Sequence, residues 1–119
     1  MKNREIKFRV WDKASNNMLQ WKTIRNYLSI WELFDEQSED TVMQFTGRKD
    51  SKGTEIYEGD IVSVNGGNHI IEWRGAGFAA TWSDYNLDTC WFVGGGPVVI
   101  GNIFENVELA ERARDHPKK

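Results

Sequence analysis

One cysteine, Cys90, stands in the 119 residues, so the chain closes no internal disulfide and builds no cysteine-based zinc site. Histidine is almost as scarce: there are two, His69 and His116, and nothing in the spacing sets either beside Cys90 as the base of a thiolate nucleophile. The prolines are also two, Pro97 and Pro117, which leaves nearly all of the chain open to strands and helices. No apolar run approaches the roughly 18 residues that a membrane-spanning helix needs. Residues 2–9 are charged throughout and unlike a signal peptide, so the expectation is a chain that stays in the cytosol. Excess positive charge is missing as well. With 15 Lys and Arg against 18 Asp and Glu the net charge is −3, which disfavours a nonspecific nucleic-acid binder held by a global positive field.

Aromatic residues, by contrast, are abundant: six Trp, six Phe and three Tyr. A chain of this length is one domain by the size prior and buries roughly two thirds of its extended surface on folding. Rings in this number close a small core or cover an interface. Charge is unevenly spread. Residues 1–31 carry seven Lys and Arg against two acidic residues, whereas Glu32, Asp35, Glu36, Glu39 and Asp40 form a block with no cation. The ordinary reading is charged strand edges and a solvated acidic loop.

Ile6, Phe8 and Val10 alternate with Lys7, Arg9 and Trp11, the pattern of a strand with one buried and one wet face. A polar turn over 12–17 leads to a second strand over 18–21, making an N-terminal hairpin. From Thr23 the period changes. Ile24, Tyr27, Leu28, Trp31 and Phe34 form the stripe of an amphipathic helix with Thr23 as N-cap, although Leu28, Ile30 and Glu32 also alternate as on a strand. After the acidic loop, Met43 and Phe45 mark a strand that ends near Gly47. Asp50 and Gly53 reverse the chain, Ile56 and Tyr57 follow, and Glu58-Gly59-Asp60 turns again into a strand over 60–64. Asn65-Gly66-Gly67-Asn68 predicts a hairpin to a strand over 69–73, and Phe78, Ala80 and Trp82 predict a third antiparallel strand. Trp91-Phe92-Val93 offers a short fourth strand before Gly94-Gly95-Gly96-Pro97, and 98–103 a last one. A short helix from about Val107 to Arg114, capped by Asn106, closes the chain.

The fold class expected is α+β, mostly β: an N-terminal hairpin and helix (1–41), a signature and small SH3-like β-barrel (42–106), then a short C-terminal helix and tail (107–119).

The run Gln44-Phe45-Thr46-Gly47, then Lys49-Asp50, Gly53 and residues 55–62 (Glu-Ile-Tyr-Glu-Gly-Asp-Ile-Val), resembles the signature of the YopX family, small proteins carried by phages and prophages of bacteria. Residues 4–12 are similar to that family's N-terminal strand. Residues 100–106 (Ile-Gly-Asn-Ile-Phe-Glu-Asn) with Glu108-Leu109 are similar to its C-terminal signature. The sequence departs at Arg48, where leucine is expected, at Phe104, where tyrosine is usual, and at Val107, where the family often has proline. The resemblance implies a phage-borne, mostly β protein in the host cytoplasm whose biochemical role is not established. It singles out Thr46, Gly47, Asp50, Gly53, Tyr57, Gly59, Asp60, Gly101 and Asn102 as a structural signature.

Catalytic chemistry is hard to find. Glu55, Glu58 and Asp60 sit across a turn, where carboxylates of Glu58 and Asp60 cap backbone N–H groups. Asp50 to Glu55 lacks the alternating oxygen ligands of a calcium loop. The glycine run before Pro97 lacks the Lys-Ser or Lys-Thr of a phosphate loop. No catalytic, cofactor or metal residue is assigned. Two leads remain. The excess of rings (Trp73, Phe78, Trp82, Trp91, Phe92) points to a subunit interface, hence a non-enzymatic accessory protein acting by self-assembly and by contact with a host or phage protein. The alternative is a nucleic-acid-binding module in which Lys7, Arg9, Trp11, Trp21, Lys22 and Arg25 of the basic aromatic hairpin pair and stack with the ligand.

Overall fold

The computed structural model describes residues 5–27, 35, 37–64, 67–74, 77–80 and 96–114. Of the expectations above, those on Leu28, Trp31, Phe34, Asn65-Gly66, Trp82, Cys90, the strand 91–93 and His116 lie outside these residues. The described chain is mostly β, with short helices, and divides into two compact units, Met1–Phe45 and Thr46–Lys119.

In the first unit, strand β1 (Phe8–Asp12) turns back into β2 (Asn17–Leu19), helix α1 (Trp21–Tyr27) follows, and the opening part of β3 (Thr41–Lys49) ends the unit. Asp12 organises the first turn, its Oδ1 accepting from the Ala14 amide (3.2 Å) and its Oδ2 from the Ser15 hydroxyl (2.8 Å). Asn16 takes the left-handed conformation there (φ 56°), which a short amide side chain tolerates. β1 is the central strand: Val10 stands opposite Leu19 of β2 and opposite Val42 of β3, both antiparallel. Val10 and Ile24 form the buried centre, with Phe8, Leu19, Trp21 and Val42 packed around them.

Two expectations change here. The second strand stops at Leu19, because the Gln20 carbonyl accepts from both the Thr23 and the Ile24 amides (3.0 Å each) and so opens the helix. Thr23 therefore lies inside α1, and Gln20 holds the cap position. Starting the helix early brings Trp21, three residues before Ile24, onto the same apolar face, where its ring meets Phe8 edge-on at 5.8 Å.

In the second unit the end of β3 neighbours β4 (Glu55–Tyr57). A second antiparallel sheet is built from β5 (Asp60–Val64), β6 (Gly67–Arg74), β7 (Gly77–Ala80) and β8 (Val98–Asn102), in the order β7-β6-β5-β8, and helix α2 (Val107–Arg114) closes the unit. The consecutive hairpins read from the glycine turns are thus present as a meander of β5, β6 and β7, with β8 added on the free side of β5.

β5 is apolar on both faces, and both are buried. Val62 and Val64 pack with Ile56, Ile71 and Val99, while Ile61 packs with Ile70, Ala110 and Ala113, flanked by Ile103 and Leu109. Alanines at positions i and i+3 of α2 present little bulk, which lets the helix lie close on the sheet. Asn106 does precede α2, its carbonyl accepting the first helical bond from the Ala110 amide (3.0 Å). No described helix is long and apolar enough to cross a membrane.

Candidate functional site

The signature residues all fall in the second unit or at its entrance, and most of their polar groups are spent on the main chain. Thr46 comes first: its hydroxyl donates to the Ile56 carbonyl (2.7 Å) and accepts from the Arg48 amide (3.2 Å), tying β3 to β4 around Gly47, which has φ 86°.

Asp50 is the densest node. Burial, the larger influence, pushes its carboxyl up, but amides of Val99 (2.8 Å), Thr54 (2.8 Å) and Lys52 (2.9 Å) donate to the ionised form, and with the Lys52 charge they hold the pKa below the ordinary aspartate value. Oδ1 takes the two local amides and shapes the turn through Gly53 (φ 87°); Oδ2 reaches across to β8. Asp50 is 6% exposed. An oxygen pair that accepts three main-chain N–H groups is a fastener and has little capacity left for proton transfer.

The second node joins both halves of the signature. Gly59, in the left-handed region at φ 87°, donates its N–H to the Ile71 carbonyl (2.9 Å), and its own carbonyl accepts from the Ile103 amide (3.0 Å). The buried Asp60 carboxylate accepts from the Tyr57 amide (2.7 Å) across the turn, as its position predicted. In the ladder, Asp60 stands opposite Asn102 and Ile61 opposite Gly101, so Gly59-Asp60 and Gly101-Asn102 meet although some forty residues separate them.

Asn102 then folds the chain into α2. Its Oδ1 accepts from the Phe104 (3.0 Å) and Glu105 (2.8 Å) amides, and its Nδ2 donates to Glu105 Oε1 (2.7 Å). Asn106 turns its carboxamide backwards, Oδ1 accepting from the Asn102 amide (3.1 Å), instead of into the helix it precedes. A Cβ at Gly101 would collide with that carboxamide and force it out of place. Ser51 and Asn106 belong to the same network and were not singled out with the signature. The usable signal was the pair of Asx residues four apart at 102 and 106, an arrangement that favours side-chain to main-chain bonding.

The six residues of the basic aromatic hairpin do not form one exposed face. Arg9 is 7% exposed, its Nη2 donating to Met43 Sδ at 3.8 Å, because the β1–β3 register sets Arg9 directly opposite Met43, itself buried. Lys7 lies 4.8 Å from the centre of the Phe45 ring and pairs with Glu5 at 3.5 Å. Trp11 and Trp21 are half-buried, and Lys22 and Arg25 on α1 are the exposed members. The predicted alternation of one buried and one wet face is therefore not found: Arg9 and Val10 are both buried, while Ile6, expected on the core face, is 57% exposed. Among the described residues no group of three or more His, Cys, Asp or Glu is placed to hold a metal ion.

Interlocked main-chain fasteners in an antiparallel, mostly β unit define a small β protein whose marked residues specify its fold. The chain belongs to the YopX family: the model of that family, described as YopX protein, matches residues 7–111. The fold is also similar to the crystal structure of protein EF1440 from Enterococcus faecalis, with a TM-score of 0.70, 24% identity, 90% of this chain covered and 99% of that one. No curated protein matches the sequence.

Proposed function

We infer that this chain is a non-enzymatic accessory protein of a phage or prophage, working by self-assembly and by contact with a host or phage protein in the host cytoplasm. The strands of the second unit are read as a small SH3-like barrel, an architecture that by itself decides no function. The observation carrying the reading is Trp73. It sits on β6 with 52% of its surface exposed, directly opposite Phe78 of β7. Covering the exposed half of an indole removes about 120 Å² of largely apolar surface from water, about 3 kcal/mol for each copy.

The test is Trp73→Glu, followed by sedimentation velocity. The variant is expected to fall toward the single-chain mass of 13.8 kDa while keeping its melting midpoint. A variant that sediments with the wild type would remove Trp73 from the interface. The nucleic-acid reading retains Lys22 and Arg25 as its exposed cations. A labelled oligonucleotide that fails to shift at low salt, where phosphate contacts are strongest, would end it.

A further inference from the structure

The outer side of β8 is occupied at both ends by groups that do not belong to a strand. At its start, the Ser51 amide donates to the Pro97 carbonyl (3.1 Å), the Ser51 hydroxyl reaches the same oxygen (3.2 Å), and the Val99 amide donates to Asp50 Oδ2 (2.8 Å). At its end, the Asn102 amide donates to Asn106 Oδ1 (3.1 Å), and the Asn102 carbonyl accepts from the Asn106 amide (2.9 Å). These are the donors and acceptors that an added strand would otherwise engage.

Between the two clamps the ladder slips. Val99 stands opposite Val62 and Gly101 opposite Ile61, so Ile100 is an extra, bulged residue, 38% exposed. Bulges and capped main-chain groups are the devices by which natural sheets blunt an edge. The need is plain from the composition. Among the described residues β8 lies at one end of its sheet, and its residues Val98-Val99-Ile100-Gly101-Asn102 carry no charge and three β-branched side chains, a composition that pairs readily with copies of itself.

We propose that Asp50, Ser51 and Asn106 form a latch over the edge of β8, and that lifting it turns this edge into a pairing surface for β8 of a second copy of the chain. A second copy is the occupant because an uncharged strand laid antiparallel on itself sets no like charges opposite one another, and a two-fold axis lets the same groups serve both chains. This surface is distinct from the one around Trp73, so wild-type protein of any mass serves as the baseline.

The experiment uses Asp50→Ala and, separately, Asn106→Ala, each with and without Ile100→Lys, in size-exclusion chromatography with light scattering from micromolar concentrations upward. Each latch variant is expected to reach at least twice the wild-type mass as concentration rises. Adding Ile100→Lys, a charge in the middle of the edge, returns that mass to the wild-type value, and Ile100→Lys alone leaves it unchanged. Latch variants that keep the wild-type mass would overturn the proposal. So would growth that persists with Lys at position 100, the behaviour of a chain that aggregates because it unfolds.

Discussion

Gly59 is where backbone conformation and long-range structure meet, and substitutions there separate the two. Its φ of 87° is a conformation that side-chain-bearing residues rarely adopt, and its N–H and C=O are both engaged, with Ile71 and Ile103 respectively. The backbone cannot relax to another φ without breaking at least one of those bonds, so a substituent must bear the strain. The expected cost is about 1–2 kcal/mol for Gly59→Ala and about 2–3 kcal/mol for Gly59→Val, whose branched Cβ is the least compatible with this region. Gly59→Asn should cost less than either, because a short amide tolerates the left-handed region. For a chain of this length about 1 kcal/mol corresponds to a shift of about 4 °C, so thermal melting by circular dichroism should rank the variants wild type, Asn, Ala, Val, with Val lowest by about 8–12 °C. Unchanged midpoints would show that the Gly59 turn stores no such strain. An Asn variant less stable than Ala would show that crowding, not φ, sets the cost.

Two further outcomes follow from the same network. Gly101→Ala should destabilise by about 1–3 kcal/mol, because its Cβ displaces the Asn106 carboxamide and leaves the Asn102 amide unpaired. Gly53→Ala, with nothing within 4 Å of the new atom, carries only the strain of its φ of 87°, and denaturant midpoints should resolve the two mechanisms, since in an Asn106→Ala background Gly101→Ala should add little further cost whereas Gly53→Ala should keep its full cost. Asp50 sets an acid limit: its folded pKa lies below the unfolded value, so its stabilisation is complete above the ordinary aspartate range of about 4 and is lost as pH falls through the folded pKa. Urea midpoints of Asp50→Asn should therefore show a shallower acid dependence than those of wild type, and parallel curves would exclude Asp50 as a contributor.

The features legible in the sequence were those whose causes are local. Asp50 with Gly53, and Gly59 with Asp60, are turns because of their own side chains and their own φ angles, so residue type alone located them. The same holds for the hairpins of β5, β6 and β7, where glycine turns separate short apolar runs. Arg9 shows what local pattern lacks. Alternation along β1 distinguishes two faces but does not say which is wet, and the deciding neighbour, Met43, is 34 residues away. Likewise the start of α1 depends on the fit of Trp21 against Phe8 of β1, so the periodic stripe alone placed the cap at Thr23 and not at Gln20. Asp50 was legible as a turn residue but not as the partner of Val99, 49 residues on. That half of its role arises only when β8 is laid beside β5. Whether a marked residue serves fold or chemistry is decided by such distant contacts.

Self-assembly is tested most directly by the absolute mass of the wild-type protein, measured by size-exclusion chromatography with multi-angle light scattering over a concentration series starting in the micromolar range. Burial of a standard interface of about 800 Å² per partner would sustain association there. The expected mass is at least double the 13.8 kDa of one chain. A mass of 13.8 kDa that persists as protein concentration rises would rule out self-assembly.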